Sequence, residues 1–326
     1  MHLRSLALLC LVIPGWCGCA TLGLERAVTY DPRSISIETL SLFNQRQLSV
    51  FSKESWKGDW LFRRERIELV DAELRSARPD LILFQELMER SDAAAESDRA
   101  ILSFGALKDY EWDLAAFARY SDTQEEEYQA VAAGAPLRIA AGLRSLAERS
   151  WAIGGEGFLS LTPVELDDEL ILIFNVRMPH QENLGMWYGY LEELMKRIVA
   201  KQGGCARRII VGGYLPGSVI SKEFQSFLKA LDLKDTGAER GRCEAASDCY
   251  TGTPLNELFM VTSGNISPGY FDRILLHESA LVSAARVTHN SPSPQTSSIA
   301  TKYGMTKLWP TQRFGWSVSA RLARCR

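Results

Sequence analysis

The sequence predicts an α/β (α+β) domain in which β-sheets are covered by helices. Strand-like and helix-like segments alternate along most of the chain, and several strands are continuous apolar runs typical of strands buried on both faces. No shift in composition divides the chain, so a single domain is expected. The composition, 46% hydrophobic and 24% charged, is that of an ordinary globular protein.

The first half of the chain begins with a strand at 35–43, where apolar and polar residues alternate with period two. A helix follows at 64–77, with apolar residues at helical spacing and Pro79 just beyond its end. Residues 122–134 include three consecutive glutamates and predict a polar connection or an exposed helix. Apolar character predicts further strands at 80–87, 137–143 and 157–161.

The second half repeats the alternation of strands and helices. A helix is expected around 187–198, because Trp187, Leu191, Leu194 and Ile198 form one apolar stripe. The aromatic group Trp187, Tyr188 and Tyr190 is interpreted as core plus ordinary surface rather than a ligand-stacking patch. A short helix is expected at 224–231 and a surface loop at 288–300. Strands are predicted at 170–176, 208–214, 271–276 and 314–322.

Residues 1–19 have the features of an export signal. One positive residue, Arg4, precedes an apolar stretch at 6–13 that is too short to span a bilayer, and small residues follow. The end of the segment resembles the lipobox of bacterial lipoproteins, with Gly18 before the cut and Cys19 carrying the lipid. Trp16 stands where a leucine is usual, and Cys17 is a second candidate. The alternative is an ordinary signal peptide with soluble release.

This interpretation divides the chain into a signal at 1–19, a tether at 20–33 and a domain at 34–326. Two acyl chains on Cys19 would suffice for stable anchoring. The expected location is therefore the bacterial cell envelope, with the membrane as a partner through the N-terminal lipid.

Four cysteines remain beyond the signal region, an even number that suits an oxidising compartment. Cys243 and Cys249 bracket a short loop and are the predicted disulfide. A metal site at that pair is disfavoured because no histidine lies near them. Pairing of Cys205 with Cys325 stays open. The net charge of −3 argues against a nucleic-acid partner.

Five short motifs occur in a fixed order along the chain: 79–86 (PDLILFQE), 174–177 (FNVR), 210–215 (IVGGYL), 271–276 (FDRILL) and 311–315 (TQRFG). They resemble the motifs PDIIxLQE, xNxHL, ILGDFN, RIDYILL and SDHxG of the endonuclease/exonuclease/phosphatase superfamily. The resemblance covers residues 35–322. It implies a deoxyribonuclease-I-like four-layer sandwich of two mixed β-sheets flanked by helices.

The resemblance also implies a reaction, the hydrolysis of phosphoric esters with a divalent metal, usually magnesium. In the family a glutamate holds the metal, an aspartate positions the attacking water, and an aspartate-oriented histidine acts near the phosphate. Glu86 and Asp272 match the metal-binding glutamate and the orienting aspartate, and both are interpreted as vestigial.

The other family positions are replaced in this sequence. The first-strand asparagine falls on Ser41, or on Asn44 in a shifted register, and the mid-chain histidine becomes Arg177. Neither His180 nor His277 is expected to compensate. The remaining replaced positions are Gly213, Leu215, Gln312 and Arg313. No catalytic site is therefore expected to be intact.

The replacements suggest that ion pairs occupy the positions where the family has its metal and catalytic groups. Arg177 is expected to neutralise Glu86 in place of a metal, and Arg313 is expected to pair with Asp272. The hypothesis requires guanidinium–carboxylate distances within about 6 Å.

The sequence predicts an exported pseudoenzyme that acts as a binding or interaction module, with no cofactor and with an unknown protein or phosphorylated ligand as its partner. One alternative is an active Mg-dependent phosphodiesterase or phosphatase that uses relocated residues, with Glu86 as a metal ligand. Another is a structural envelope protein whose old cleft is closed.

Overall fold

The structure, a computed structural model, describes eleven stretches of the chain. They are residues 28–41, 70–90, 104–120, 125–140, 149–154, 157–179, 183–202, 206–216, 221–237, 272–287 and 315–325. These stretches contain thirteen strands in two sheets, together with three α-helices.

The first sheet has six strands in the order β12-β13-β1-β2-β4-β3. Only β1 and β2 run parallel, and the other neighbours are antiparallel. In chain order its strands are β1 Ile35–Ser41, β2 Leu81–Arg90, β3 Glu111–Tyr120, β4 Glu125–Ala133, β12 Leu281–Val287 and β13 Gly315–Arg321.

The second sheet has seven strands in the order β10-β11-β9-β8-β7-β5, with β6 also paired to β7. The parallel pair is β8 with β9. In chain order its strands are β5 Arg138–Ile139, β6 Ser150–Ile153, β7 Gly157–Leu166, β8 Glu169–Arg177, β9 Ile209–Tyr214, β10 Leu233–Asp235 and β11 Asp272–His277.

The helices are α1 at 70–77, α2 Leu184–Gln202 and α3 Lys222–Ala230. Ser221 caps α3, where its hydroxyl accepts a hydrogen bond from the Phe224 amide and satisfies a donor that the first turn leaves unpaired. None of the helices in the described residues is long and apolar enough to cross a membrane.

Three apolar clusters define four layers. One lies between the two sheets and draws on strands of both, with Trp316 as its largest side chain. A second packs α2 and α3 on the outer face of the second sheet, and a third packs α1 on the outer face of the first. The predicted four-layer sandwich of two mixed β-sheets flanked by helices is confirmed.

The prediction for residues 122–134 is wrong, because Glu125–Ala133 forms strand β4. This strand lies between β2 and β3. Ala130, Val131, Ala132 and Ala133 are buried, and so is Glu127, whose charge is paired inside the fold. The glutamate run looked exposed because ion pairing across the fold has no local sequence signal. Strands β3, β6, β10 and β12 were also not predicted.

The fold begins before residue 34, inside the predicted tether. Asp31 donates its backbone amide to the Leu322 carbonyl at 2.9 Å, and the Arg324 amide donates to the Thr29 carbonyl at 2.8 Å. Asp31 is 1% exposed, and its carboxylate contacts the guanidinium groups of Arg208 and Arg324. The described part of this segment belongs to the fold because the Asp31 carboxylate contacts two arginines distant in sequence.

Cys325 is disulfide-bonded. The predicted pair Cys243–Cys249, the lipidation candidate Cys19 and the expected loop at 288–300 all lie outside the described residues.

Candidate functional site

The motif residues of the two sheets lie at the same end of the sandwich. Ser41 on β1 is in register with Gln85 on β2. In the second sheet, Arg177 on β8 is in register with Tyr214 on β9, which is in register with Asp272 on β11. Facing residues of neighbouring strands share one side of the sheet. The sequence motifs therefore meet at one place, which we call the Glu86 end, defined by Glu86, Arg177, Tyr214 and Asp272.

Glu86 reaches the space between the sheets through a β-bulge. The register of β2 with β4 shifts between Phe84 and Leu87, and Glu86 has a φ of 60°. A bulge places two consecutive residues opposite one and redirects a side chain. A positive φ is uncommon outside glycine and often marks functional sites. The backbone thus keeps a special conformation at the glutamate that the resemblance associates with metal binding.

Arg177 joins the two sheets at this end. Its Nη2 lies 2.9 Å from Glu86 Oε1, and its Nη1 lies 2.7 Å from Glu127 Oε1. The guanidinium also lies over the Phe117 ring, 5.2 Å from the ring centroid. The Arg177 and Glu86 side chains are each 11% exposed, and the Glu127 side chain is 2% exposed. The expected ion pair between Arg177 and Glu86 is present, and Glu127 is a further partner.

A buried hydrogen-bond network lies one layer deeper. Asn175, fully buried, donates from Nδ2 to the carbonyl oxygens of Phe84 and Ala130, which belong to the opposite sheet. Gln85 donates to Asn175 Oδ1 at 2.7 Å and accepts from the Thr39 hydroxyl at 3.1 Å. Because buried polar groups need partners, this network holds the two sheets in register beneath Arg177.

Gly213 occupies a conformation that excludes a side chain. Its φ is +126°, outside the regions open to most L-residues. A Cβ at this position would lie 2.1 Å from the Val176 carbonyl oxygen. The position that matches the family's water-positioning aspartate therefore lacks both the carboxylate and the space for one.

Tyr214 and Asp272 complete the row across the second sheet. Asp272 is 2% exposed. Burial raises the pKa of the Tyr214 hydroxyl, and the negative charges of Asp272 and Glu86 raise it further, while Arg177 opposes them. Tyr214 is therefore a neutral hydroxyl near physiological pH and cannot serve as a base.

The remaining predicted positions give mixed outcomes. Leu215 is fully buried in the apolar layer under α2 and α3, and its carbonyl accepts a hydrogen bond from Arg273. His277 stands at the far end of β11 from Asp272, so it cannot take part at this site. Ser41 ends β1. Four predicted positions lie outside the described residues: Asn44, His180, Gln312 and Arg313. The expected pair of Arg313 with Asp272 therefore stays a prediction.

Sequence reasoning missed two residues of the site, Glu127 and Phe117. Neither belongs to a family motif, and they lie on β4 and β3, which the sequence did not predict as strands. Only a strand pattern at 125–133, with Glu127 on the side facing the other sheet, could have suggested Glu127. The aromatic groups of α2 follow expectation, since Tyr188 is buried and Tyr190 is 41% exposed.

Taken together, this architecture is the deoxyribonuclease-I-like fold, and solved structures of endonuclease/exonuclease/phosphatase proteins are similar to it. The mannosyl-6-phosphatase Bt3783 of Bacteroides thetaiotaomicron is similar over 88% of this chain and 99% of its own, with a TM-score of 0.56 and 13% identity. The catalytic domain of human Nocturnin is similar over 91% and 97%, with a TM-score of 0.54 and 11% identity.

An endonuclease/exonuclease/phosphatase protein of Bacteroides vulgatus is also similar, over 89% of this chain and 99% of its own, with a TM-score of 0.56 and 11% identity. No family model and no curated protein sequence matches the chain. At such low identity the similarity shows the fold, which the five motifs had predicted.

The metal that the fold family implies does not fit the residues described. The Glu86 carboxylate, which would hold it, already contacts the Arg177 guanidinium, with Oε1 2.9 Å from Nη2. No group of three or more His, Cys, Asp or Glu side chains that could hold a metal occurs in the described part of the chain.

Proposed function

We propose that this protein is an exported, lipid-anchored pseudoenzyme that uses the endonuclease/exonuclease/phosphatase fold as a binding or interaction module at the cell envelope. The observation that carries the proposal is the contact of Arg177 with both Glu86 and Glu127. This contact supports the proposal that the Arg177 guanidinium occupies the place of a metal ion in the site.

The electrostatics of this contact oppose metal binding. Two unit charges 4 Å apart repel by about 4 kcal/mol at the effective polarity of a protein surface, and a divalent ion would double this. A magnesium ion on Glu86 would have to displace Arg177, which would also break the ion pair of Arg177 with the buried Glu127. Breaking a buried ion pair costs several kcal/mol.

The backbone at Gly213 supports the same conclusion independently. Family chemistry needs a carboxylate here to position water, and the chain has a glycine whose conformation leaves no room for a Cβ. Loss of one acid–base group typically lowers a rate by roughly 10²–10⁴-fold. Restoring this group would require the backbone to move as well.

The same geometry favours a protein over a phosphorylated ligand as the partner. Arg177 is paired with Glu86 and Glu127, and the buried Arg273 is paired with Asp235. Arginines that carboxylates already neutralise do not offer the free positive charge that phosphate recognition needs.

Export and anchoring rest on the signal-like residues 1–19 and on Cys19. The disulfide at Cys325 supports an oxidising compartment, because disulfides persist mainly outside the cytosol.

The test is a phosphoesterase assay with Mg²⁺ or Mn²⁺ on bis(p-nitrophenyl) phosphate, a sugar phosphate, sphingomyelin and single-stranded DNA. We expect no turnover above the no-enzyme background, and no heat of Mg²⁺ binding by calorimetry. Glu86→Ala is the site variant, and Glu192→Ala, on the exposed surface of α2, is the matched control.

Metal-dependent turnover that Glu86→Ala abolishes and Glu192→Ala retains would overturn the pseudoenzyme proposal in favour of an active phosphohydrolase. Turnover that both variants retain equally would indicate a contaminating enzyme. After that enzyme is removed, the same assay is expected to give no turnover above the no-enzyme background.

A further inference from the structure

The site lies at the opposite end of the sandwich from the point where the N-terminal segment enters it. We call this second end the Asp31 end, defined by Asp31, Glu169, Arg208 and Arg324. Strand β8 runs from Glu169 at the Asp31 end to Arg177 at the Glu86 end. Eight residue steps at about 3.3 Å each place these ends roughly 26 Å apart.

A buried ion cluster fixes the N-terminal segment at the Asp31 end. Arg208, 1% exposed, contacts the Asp31 carboxylate and lies 2.6 Å from Glu169 Oε2. Arg324 Nε lies 3.1 Å from Asp31 Oδ1. Asp31 is thus held by a residue just before β9 and by a residue near the C-terminus. The segment therefore enters the domain at a defined place.

Little chain separates this place from the proposed lipid. Thr29, hydrogen-bonded to Arg324, lies ten residue steps after Cys19. An unstructured chain of that length has a root-mean-square span of about 17 Å, and full extension reaches about 35 Å. A chain that brings the Glu86 end to the lipid would have to span about 26 Å along the domain, well beyond the root-mean-square span. Stretching the chain to this length costs conformational entropy.

We infer that the Asp31 end faces the membrane and that the Glu86 end is directed away from it. The inference rests on the lipid anchor of the proposed function and deepens it. The surface around Glu86 and Arg177 is then offered to a partner beyond the lipid headgroups. A partner embedded in the same leaflet would meet the Asp31 end instead.

Helix α2 provides two matched positions for a test. The helix begins at the Glu86 end and finishes at the Asp31 end, because it connects the end of β8 to the segment that precedes β9. Met186, 57% exposed, lies in its first turn, and the exposed Lys201 lies in its last turn. The fifteen residue steps between them correspond to about 22 Å along the helix axis.

A fluorescent amino acid would replace Met186 or Lys201 in the full-length lipidated chain. Each protein would be inserted into vesicles of phosphatidylethanolamine and phosphatidylglycerol that carry a headgroup energy acceptor. We expect several-fold higher energy transfer from position 201 than from position 186. Equal transfer, or higher transfer from position 186, would overturn the inference.

The anchor is tested separately by vesicle sedimentation. Wild type is expected to sediment with the vesicles and Cys19→Ala to stay in solution. A wild-type chain that does not sediment defeats the anchor of the proposed function, and the orientation with it. A chain that sediments through Cys19 but gives equal transfer from both positions defeats the orientation alone.

The Asp31→Asn variant tests whether the ion cluster sets the orientation. Loss of the charge is expected to loosen the first residues of the domain, lengthen the tether and reduce the ratio of transfer between positions 201 and 186. Glu192→Gln, which alters an exposed ion pair on α2, is expected to leave the ratio unchanged. An unchanged ratio in folded Asp31→Asn, as judged by near-ultraviolet circular dichroism, would show that the cluster does not set the orientation.

Discussion

At the residue scale, Arg177 determines the character of the site. It stands at the family's histidine position on β8, yet its guanidinium reaches carboxylates on β2 and β4 of the other sheet. Its contacts with Glu86 and Glu127 place one positive charge between two nearly buried carboxylates. Arg177 thereby holds the two sheets together.

Replacement of Arg177 with alanine is expected to destabilise the fold strongly, because it removes the cation that faces both Glu86 and Glu127. Removing one partner of a buried ion pair typically costs about 3–5 kcal/mol. The free energy of unfolding in urea, measured by tryptophan fluorescence, checks this. The matched control is Lys196→Ala, which breaks an exposed pair on α2 and should cost about 0.3–0.5 kcal/mol. A loss in Arg177→Ala as small as in the control would contradict the role assigned to Arg177.

Replacement of Gly213 with aspartate is expected to restore no catalysis and to destabilise the fold. A non-glycine residue forced into a sparsely populated backbone region costs about 1–3 kcal/mol, and contact with the Val176 carbonyl adds to this. Thermal unfolding and the phosphoesterase assay measure both outcomes. Gly189→Asp, on α2 with nothing within 4 Å of its Cβ, is the control for stability. A stable Gly213→Asp protein with metal-dependent turnover would contradict the argument.

At the scale of elements, the sequence predicted the strands that carry the motifs better than the strands that support them. The residues of β2, β8, β9 and β11 are apolar runs, and all four were found where expected. Strand β4 was not, because its first three residues are glutamates. The bulge in β2 was also not predicted, since a shift of register depends on the partner strand.

The N-terminal segment is an element that only its distant contacts define. Asp31→Ala is expected to cost about 3–5 kcal/mol, because it removes a buried carboxylate that contacts both Arg208 and Arg324. Unfolding in urea measures the cost. Glu192→Ala, which breaks the i,i+4 pair with Lys196 on the surface of α2, should change stability by a few tenths of a kcal/mol. Equal effects of the two substitutions would mean that the segment at 29–31 is not part of the cooperative fold.

At the scale of the whole molecule, two buried tyrosines tie stability to alkaline pH. Burial raises the pKa of Tyr188, and burial with nearby negative charge raises that of Tyr214. The unfolded chain releases these protons near pH 10, before the folded chain does. The stabilisation is therefore fully present below about pH 10 and is lost as the pH rises above it.

The slope of unfolding free energy against pH, measured between pH 9 and pH 11, tests this dependence. Tyr214→Phe is expected to flatten the slope, since one of the two groups is removed. Tyr190→Phe, at a side chain 41% exposed on α2, is the matched control and should leave the slope as in wild type. The same slope in all three proteins would refute the assignment.

The whole fold also sets the relation between the site and the proposed anchor. Parallel β8 and β9 carry the chain from the Asp31 end to the Glu86 end. The ion cluster at Asp31 and the ion pairs of Arg177 therefore lie at opposite ends of the same sheet. The inferred orientation of the domain on the membrane rests on this separation.

The sequence by itself determined the order of strands and helices, the four-layer fold through five motifs, and the identity of the replaced residues, because each is recorded in local patterns of residues. Only the tertiary structure decided how the replacements act. The pairing of Arg177 with Glu127, 50 residues away, depends on strands of two sheets that meet. The direction of the Glu86 side chain depends on the β-bulge in β2. The exclusion of a side chain at Gly213 depends on the Val176 carbonyl beside it. Contacts between distant segments arise from packing, so no local pattern could have predicted them.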